Sequence, residues 1–272
     1  MSLDELIKPK MLRAGDTVAA GSLSWGGPGT LRERYEIGKR QIESTFGLRV
    51  VETPHTCASP EFVANNPRAR VDDLNAALVD PDIAGIISTI GGEDSIRLLP
   101  FFDYELIARN PKVFVGYSDT TVTHYAFLKA SVGSFYGPSV MSGFAENGGM
   151  HRYLVDSVRR TLFQSEPIGA LQPNRDGWTV ELRDWAVPGN NQQARQLTPS
   201  TGWRFLQGEG VARGRLIGGC IEVIDWLRGT ELWPSLDHWQ DAILFIETSE
   251  EAPPPAAVVR MLRCLAACGG LE

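Results

Sequence analysis

The sequence predicts an α/β protein in two parts, a parallel-sheet domain followed by a smaller α/β domain. Three observations carry this prediction. Over residues 1–167 short apolar runs alternate with amphipathic stretches, the rhythm of strand–helix units that build parallel sheets. Two of those runs, 84–90 and 113–117, are apolar on both faces, as strands covered by helices on each side must be. After a segment over 168–207 that is rich in Pro, Gly, Asn and Gln, the alternation restarts at Gly208 and continues through 272. This second domain reads as truncated, because it ends directly after a helix.

The elements follow in order. Thr17-Val18-Ala19-Ala20-Gly21-Ser22 reads as a strand. Gly26, Gly27, Pro28 and Gly29 then make a loop, with Thr30 placed to cap a helix running to Phe46. A second strand is expected over 48–52, a polar segment over 58–67, and a helix over 69–79. The buried run 84–90 stops at Gly91-Gly92, and the run 113–117 leads into a helix over 119–130. In the second part, 211–217 reads as a strand, 221–228 as a helix and 242–246 as a buried strand. Pro253-Pro254-Pro255 precedes a last helix over 256–267.

Composition narrows the function. A net charge of −7 offers no basic surface for nucleic acid or anionic lipid, so a small-molecule substrate is the default. No run approaches the roughly 20 apolar residues of a membrane span, and Met1-Ser2-Leu3-Asp4-Glu5 lacks the order of a signal peptide. Cys57, Cys220, Cys264 and Cys268 do not form a disulfide framework in a chain this long, which points to a reducing cytoplasm. Cys264 and Cys268 lie four apart on a predicted helix, but no neighbouring His or Cys completes a metal site; they read as buried thiols.

Three turns carry chemistry. Gly116-Tyr117-Ser118-Asp119-Thr120 joins a buried strand to a helix, which lifts the Ser118 hydroxyl above the strand end where open α/β sheets bind ligands. The amides that open the helix face developing negative charge there, the logic of a nucleophile elbow. The alternative is that Ser118 merely caps the helix, and Thr120 stands where such elbows have a second Gly. Gly91 and Gly92 let backbone approach a ligand closely with N–H groups exposed, or else form only a tight turn; no G-x-G-x-x-G fingerprint is present. Glu247 follows a buried strand and can orient an imidazole, although Glu250 and Glu251 beside it fit a solvated loop equally.

Together these stretches resemble the LD-carboxypeptidase family of serine peptidases, including its microcin C immunity branch. The matching residues are Ile90-Gly91-Gly92, Arg97-Leu98-Leu99-Pro100, Asn110-Pro111-Lys112, Gly116-Tyr117-Ser118-Asp119, Tyr136-Gly137-Pro138, Gly214-Arg215-Leu216-Ile217-Gly218-Gly219-Cys220 and Leu244-Phe245-Ile246-Glu247. The resemblance implies Ser118 as nucleophile and Glu247 as the acidic triad member, with the amides of Asp119 and Gly92 as oxyanion hole and Gly91 against the substrate. It implies no metal or organic cofactor, a cytoplasmic homodimer, and cleavage of an amide beside a carboxylate or other anionic group. The substrate would be a murein L,D-tetrapeptide or a microcin C-like aminoacyl-nucleotide.

The family's histidine is expected in a Gly-His context late in the C-terminal domain. His55, His124, His151 and His238 lack that context, so the chain is expected to be a fragment without it. Trp178 and Trp185 in the segment 168–207 resemble the tryptophan loop of the immunity branch and would stack on a nucleobase; alternatively both rings anchor the loop. That segment is expected to be mobile over the site. Two other classes compete. A ligand-sequestering protein would keep the pocket without catalysis, and an amidotransferase-like domain would need a cysteine at an elbow, where none of the four stands.

Overall fold

The computed structural model of the chain describes residues 6–187 and 189–271. β1 (Thr17–Gly21), β2 (Arg49–Glu52), β3 (Ile83–Ser88), β4 (Val113–Gly116) and β5 (Phe135–Tyr136) form one sheet in the order β2-β1-β3-β4-β5, with every neighbouring pair parallel. β6 (Arg215–Cys220) and β7 (Ala242–Glu247) form a second, two-stranded parallel sheet whose register sets Cys220 beside Glu247.

The run of apolar residues in β1, β3 and β4 divides by strand alternation between two cores. Ala19, Ile86 and Phe114 enter one, and Val18, Ala20, Ile87, Val113 and Val115 enter the other. The first core contains Val71, Leu74 and Leu78 of the helix Pro67–Val79 and Val122, Ala126 and Phe127 of the helix Thr121–Lys129. It continues without a break into Ile217, Cys220, Val223, Ile224 and Leu227, so the two-stranded sheet sits on the first domain through a shared apolar layer. The second core holds Tyr35, Ile42 and Phe46 of the helix Arg32–Phe46.

Several elements depart from expectation. Thr30 caps nothing: Gly27–Thr30 is itself a single helical turn, because Pro28 starts a helix well, and the next helix opens from Leu31 without a side-chain cap. The polar segment contains a short helix, Pro60–Asn65, whose Ser59 hydroxyl accepts from the Phe62 amide at 3.1 Å. The helix Arg152–Leu162 and the two-residue β5 were not anticipated; β5 is too short to show any periodicity. β6 begins at Arg215 rather than Val211, which stands 92% exposed. The last helix, Pro255–Ala267, buries only Leu265, so Cys268 at its end is exposed and Cys264 half-buried; of the four thiols Cys220 is the buried one.

Among the described residues of 168–207 the one helical element is a 3-10 turn, Asn190–Gln192, as their irregular composition predicts. They are nevertheless tied down from beneath. Arg195 donates Nε to Glu146 Oε1 at 2.8 Å and also pairs with Glu146 Oε2 through Nη2. Arg34 donates to the Met141 carbonyl (2.9 Å), Asn147 Oδ1 (2.7 Å) and Asn191 Oδ1 (3.1 Å), while its guanidinium lies 4.3 Å from the Trp185 ring centre. Glu146, Asn147, Arg34 and Asn191 are all buried. These contacts anchor the segment around 181–196, because buried charged groups must keep their partners.

Candidate active site

β4 is buried at all of its residues, and the chain leaves it through Tyr117 into a 3-10 turn, Ser118–Thr120. Ser118 has φ 61, the left-handed region that a non-glycine residue adopts at a cost of about 1–2 kcal/mol. A helix cap would sit in extended backbone with its hydroxyl accepting from an amide two or three residues on. Here the capping alternative fails, since neither the 3-10 turn nor the helix Thr121–Lys129 has a side-chain cap. The turn is instead closed by hydroxyls that donate back to carbonyls: Thr120 to Tyr117 (2.8 Å) and Thr121 to Ser118 (2.6 Å).

Gly91 faces this hydroxyl. A Cβ added there would stand 3.1 Å from Ser118 Cβ, 3.2 Å from Ser118 Oγ and 3.7 Å from the Asp119 amide nitrogen. At Gly92 a Cβ would instead meet Ser24 and Trp25, so Gly91 rather than Gly92 lies against Ser118. The turn after β3 is fixed by Asp119, whose fully buried carboxylate accepts from the amides of Ser95 (2.9 Å) and Asp94 (3.2 Å) and from the Ser95 hydroxyl (2.8 Å). Burial pushes the Asp119 carboxyl above its ordinary value, and the hydrogen bonds from Ser95 and the Asp94 amide oppose that push. Arg70, also buried, reaches the same turn through Asp94 Oδ2 at 2.8 Å and holds the carbonyls of Leu23 and Ser24 at 3.1 Å each.

Glu247, at the end of β7, arrives from the second sheet. Its Oε1 accepts from the Ser118 amide at 3.2 Å and from the Tyr136 hydroxyl at 2.5 Å, and that hydroxyl also accepts from the Ser118 amide at 2.8 Å. The sheets meet beside this point. The Cys220 amide donates to Thr121 Oγ1 at 3.1 Å, and Gly219, at φ 140, approaches so closely that an added Cβ would stand 2.7 Å from Thr121. Glu222 holds the chain beyond β7 by accepting from the Ser249 amide (2.9 Å) and hydroxyl (2.7 Å).

The histidines are committed elsewhere. His124 is buried between Ser134 and Gly116: the Gly116 carbonyl can only accept, so Nε2 carries the proton (2.8 Å) and Nδ1 accepts from Ser134 Oγ (2.8 Å). Burial lowers its pKa to about 4. His55 pairs with Asp73 at 3.0 Å, His151 lies 3.8 Å from Glu146, and His238 bonds Ser235 at 2.9 Å.

Of the expected site residues, the fold brings together Ser118, Asp119, Gly91 and Glu247. The tryptophans stand in the long segment: Trp185 lies on Arg34, and Trp178 pairs by backbone with Thr198 while its side chain is exposed. Burial pushes the Tyr117 phenol above its ordinary value, with Glu247 and Glu250 adding to the push and the Ser142 hydrogen bond and Arg195 of that segment opposing it. The sequence reading assigned no role to Tyr136 or Arg70. The Tyr-Gly-Pro stretch at the end of a short strand was a usable signal for the first, whereas Arg70 looks like any surface charge on an amphipathic helix.

A strained serine on a strand-to-helix turn thus lies beside a glycine turn and a strand-end carboxylate, in an α/β protein built on a parallel sheet. The chain belongs to the LD-carboxypeptidase family. Residues 18–137 match the LD-carboxypeptidase N-terminal domain and residues 213–272 the C-terminal domain. A Vibrio cholerae protein provisionally named a carboxypeptidase is 30% identical over 98% of this chain and 77% of its own length. The microcin C7 self-immunity protein MccF of Escherichia coli is 29% identical over 89% of this chain and 69% of its own. An MccF-like protein from Streptococcus pneumoniae, solved in complex with AMP, superposes with a TM-score of 0.83 at 28% identity, covering 94% of this chain and 79% of that one. Among the described residues no helix is long and apolar enough to cross a membrane.

Proposed function

We propose that the protein is a serine carboxypeptidase or amidase that cleaves an amide beside a carboxylate or other anionic group through an acyl-enzyme. The observation that carries this reading is the left-handed Ser118 with the Glu247 carboxylate 3.2 Å from its amide. Ser118 attacks the carbonyl and forms the acyl-enzyme, and water then releases it. Glu247 orients the imidazole that takes the Ser118 proton, a histidine that the family resemblance implies and that His55, His124, His151 and His238 do not supply. The charge on the tetrahedral oxygen is met by the amides of Asp119 and Gly92. The substrate is a murein L,D-tetrapeptide or an aminoacyl-nucleotide of the microcin C kind. The AMP complex of the Streptococcus pneumoniae relative supports the second, with the exposed Trp178 as the stacking ring in this chain.

In this reading residues 1–167 carry the nucleophile, 168–207 contact substrate and 208–272 carry Glu247. The protein acts as a cytoplasmic homodimer, for which the exposed Trp203, Phe205 and Leu206 offer apolar surface. Ser118→Ala should lower hydrolysis by several orders of magnitude with the fold intact. Near-normal turnover by the folded variant would overturn the assignment. If the tight binding of an aminoacyl-nucleotide survived with no turnover in the wild type, the sequestering alternative would replace it.

A further inference from the structure

We infer that Tyr136 is a positioning residue for acyl transfer: its hydroxyl, shared between the Glu247 carboxylate and the Ser118 amide, sets the distance between the acidic group and the nucleophile. This rests on the roles proposed for Ser118 and Glu247.

The direction of each hydrogen bond is forced. An amide can only donate and an ionised carboxylate can only accept, so the single phenol proton goes to Glu247 and a phenol lone pair receives the Ser118 N–H. The arrangement needs a protonated phenol, and burial first, then Glu247, keeps its pKa far above the ordinary range. The ring has little freedom. It lies between His124, 5.3 Å away by ring centres, and Phe245, 5.4 Å away and edge-on. Its backbone is paired beside Gly116, and the Gly137 amide donates to the Gly116 carbonyl at 3.0 Å. This gives His124 a purpose other than proton transfer, as a neutral wall behind the tyrosine.

The phenol also joins two units that arrive separately. Tyr136 belongs to the five-stranded sheet and Glu247 to the two-stranded one. Without the hydroxyl, Glu247 would keep only the Ser118 amide at 3.2 Å, a long contact for a carboxylate at the half-buried end of a strand. A shift of about 1 Å in a catalytic group costs on the order of 100-fold in rate. A second consequence concerns the oxyanion hole. The Ser118 amide is already engaged twice, which leaves the Asp119 amide as the helix-side donor.

The experiment measures hydrolysis by the full chain, on whichever of a murein tetrapeptide and an aminoacyl-nucleotide amide the wild type cleaves faster. The variants are Tyr136→Phe, Glu247→Ala, the double variant and Ser118→Ala, each with its melting temperature. Tyr136→Phe is expected to lower kcat about 10- to 100-fold with KM nearly unchanged. The double variant should be no slower than Glu247→Ala alone, because the tyrosine acts through the glutamate. A purely structural tyrosine would instead lower the melting temperature, and its rate loss would multiply with that of Glu247→Ala; that result overturns the inference. Wild-type kcat in Tyr136→Phe with Ser118→Ala inactive overturns the inference alone. An active Ser118→Ala removes the nucleophile reading and the inference together.

Discussion

The elbow and the segment 168–207 secure polar groups in opposite ways. At the elbow, fixed backbone is set first and side chains serve it: Asp119, Thr120 and Thr121 each bond a neighbouring main-chain group. In the long segment there is almost no regular backbone, and side chains do the holding, with Arg34 and Arg195 reaching buried partners from opposite directions. The first arrangement resists displacement by fractions of an ångström, because several hydrogen bonds converge on one short turn. The second fixes where the segment is attached but leaves its outer surface, with Trp178, Val180 and Leu182 exposed, free to vary. In the proposed reading, chemistry falls to the first region and substrate choice to the second.

The comparison breaks most sharply at Gly91. Gly91→Ala places a methyl 3.2 Å from the Ser118 hydroxyl, so kcat should fall about 100-fold while denaturant stability stays within about 1 kcal/mol. Equal activity would mean that the glycine turn does not meet the reacting centre. Removing the loop's anchor tests the other side. Arg195→Ala leaves the buried Glu146 carboxylate without its bidentate partner, an expected loss of about 3 kcal/mol in urea unfolding. Hydrogen exchange at the elbow should stay unchanged in that variant.

The His124 wall predicts a pH dependence. Its folded pKa of about 4 lies below the ordinary 6.5, so its contribution is fully present above pH 6.5 and is lost as pH falls toward 4, by roughly 3 kcal/mol at most. Acid unfolding of wild type and His124→Gln should converge in that window, since Gln can still donate to the Gly116 carbonyl without charging. Next in size, Trp178→Ala should weaken turnover of a nucleotide-bearing substrate about tenfold and leave a murein tetrapeptide untouched. Equal losses on both would count against stacking. The smallest effects belong to His55→Gln, His151→Gln and His238→Gln, each expected to keep kcat/KM within about twofold because none bonds Ser118 or Glu247.

The regular parts of the first sheet were legible because burial on both faces leaves a plain mark: β1, β3 and β4 lie within a few residues of the expected runs. β7 also lies at its expected run, but the expectation of a buried strand is corrected there: among the described residues it pairs only with β6, none of its own residues is buried, and Ile243 and Ile246 are exposed. β5 and the helix Leu236–Trp239 left no mark, being shorter than any period that could reveal them. For the site, Ser118, Asp119, Gly91 and Glu247 could be picked out by their places at strand ends. Which of Gly91 and Gly92 faces the hydroxyl could not be read from sequence, because it depends on the direction of the turn. Arg70 and Arg34 were illegible for a different reason. Each is an arginine on a helix, and only the neighbouring loops, folded over it, turn a surface charge into a buried clasp.

Gly219 and Thr121 make contact where the two-stranded sheet rests on the first domain, and this bears on how the protein is made. A pair of strands has too little surface to hold its own shape in water. The ribosome delivers the elbow and its helix well before Cys220 and Glu247 emerge, and domains set as they leave it. The later strands therefore have a finished mould waiting, with Thr121 Oγ1 marking the place for the Cys220 amide. Glu247 comes into register one strand over, beside Cys220, so its place is set by the surface that the earlier residues created.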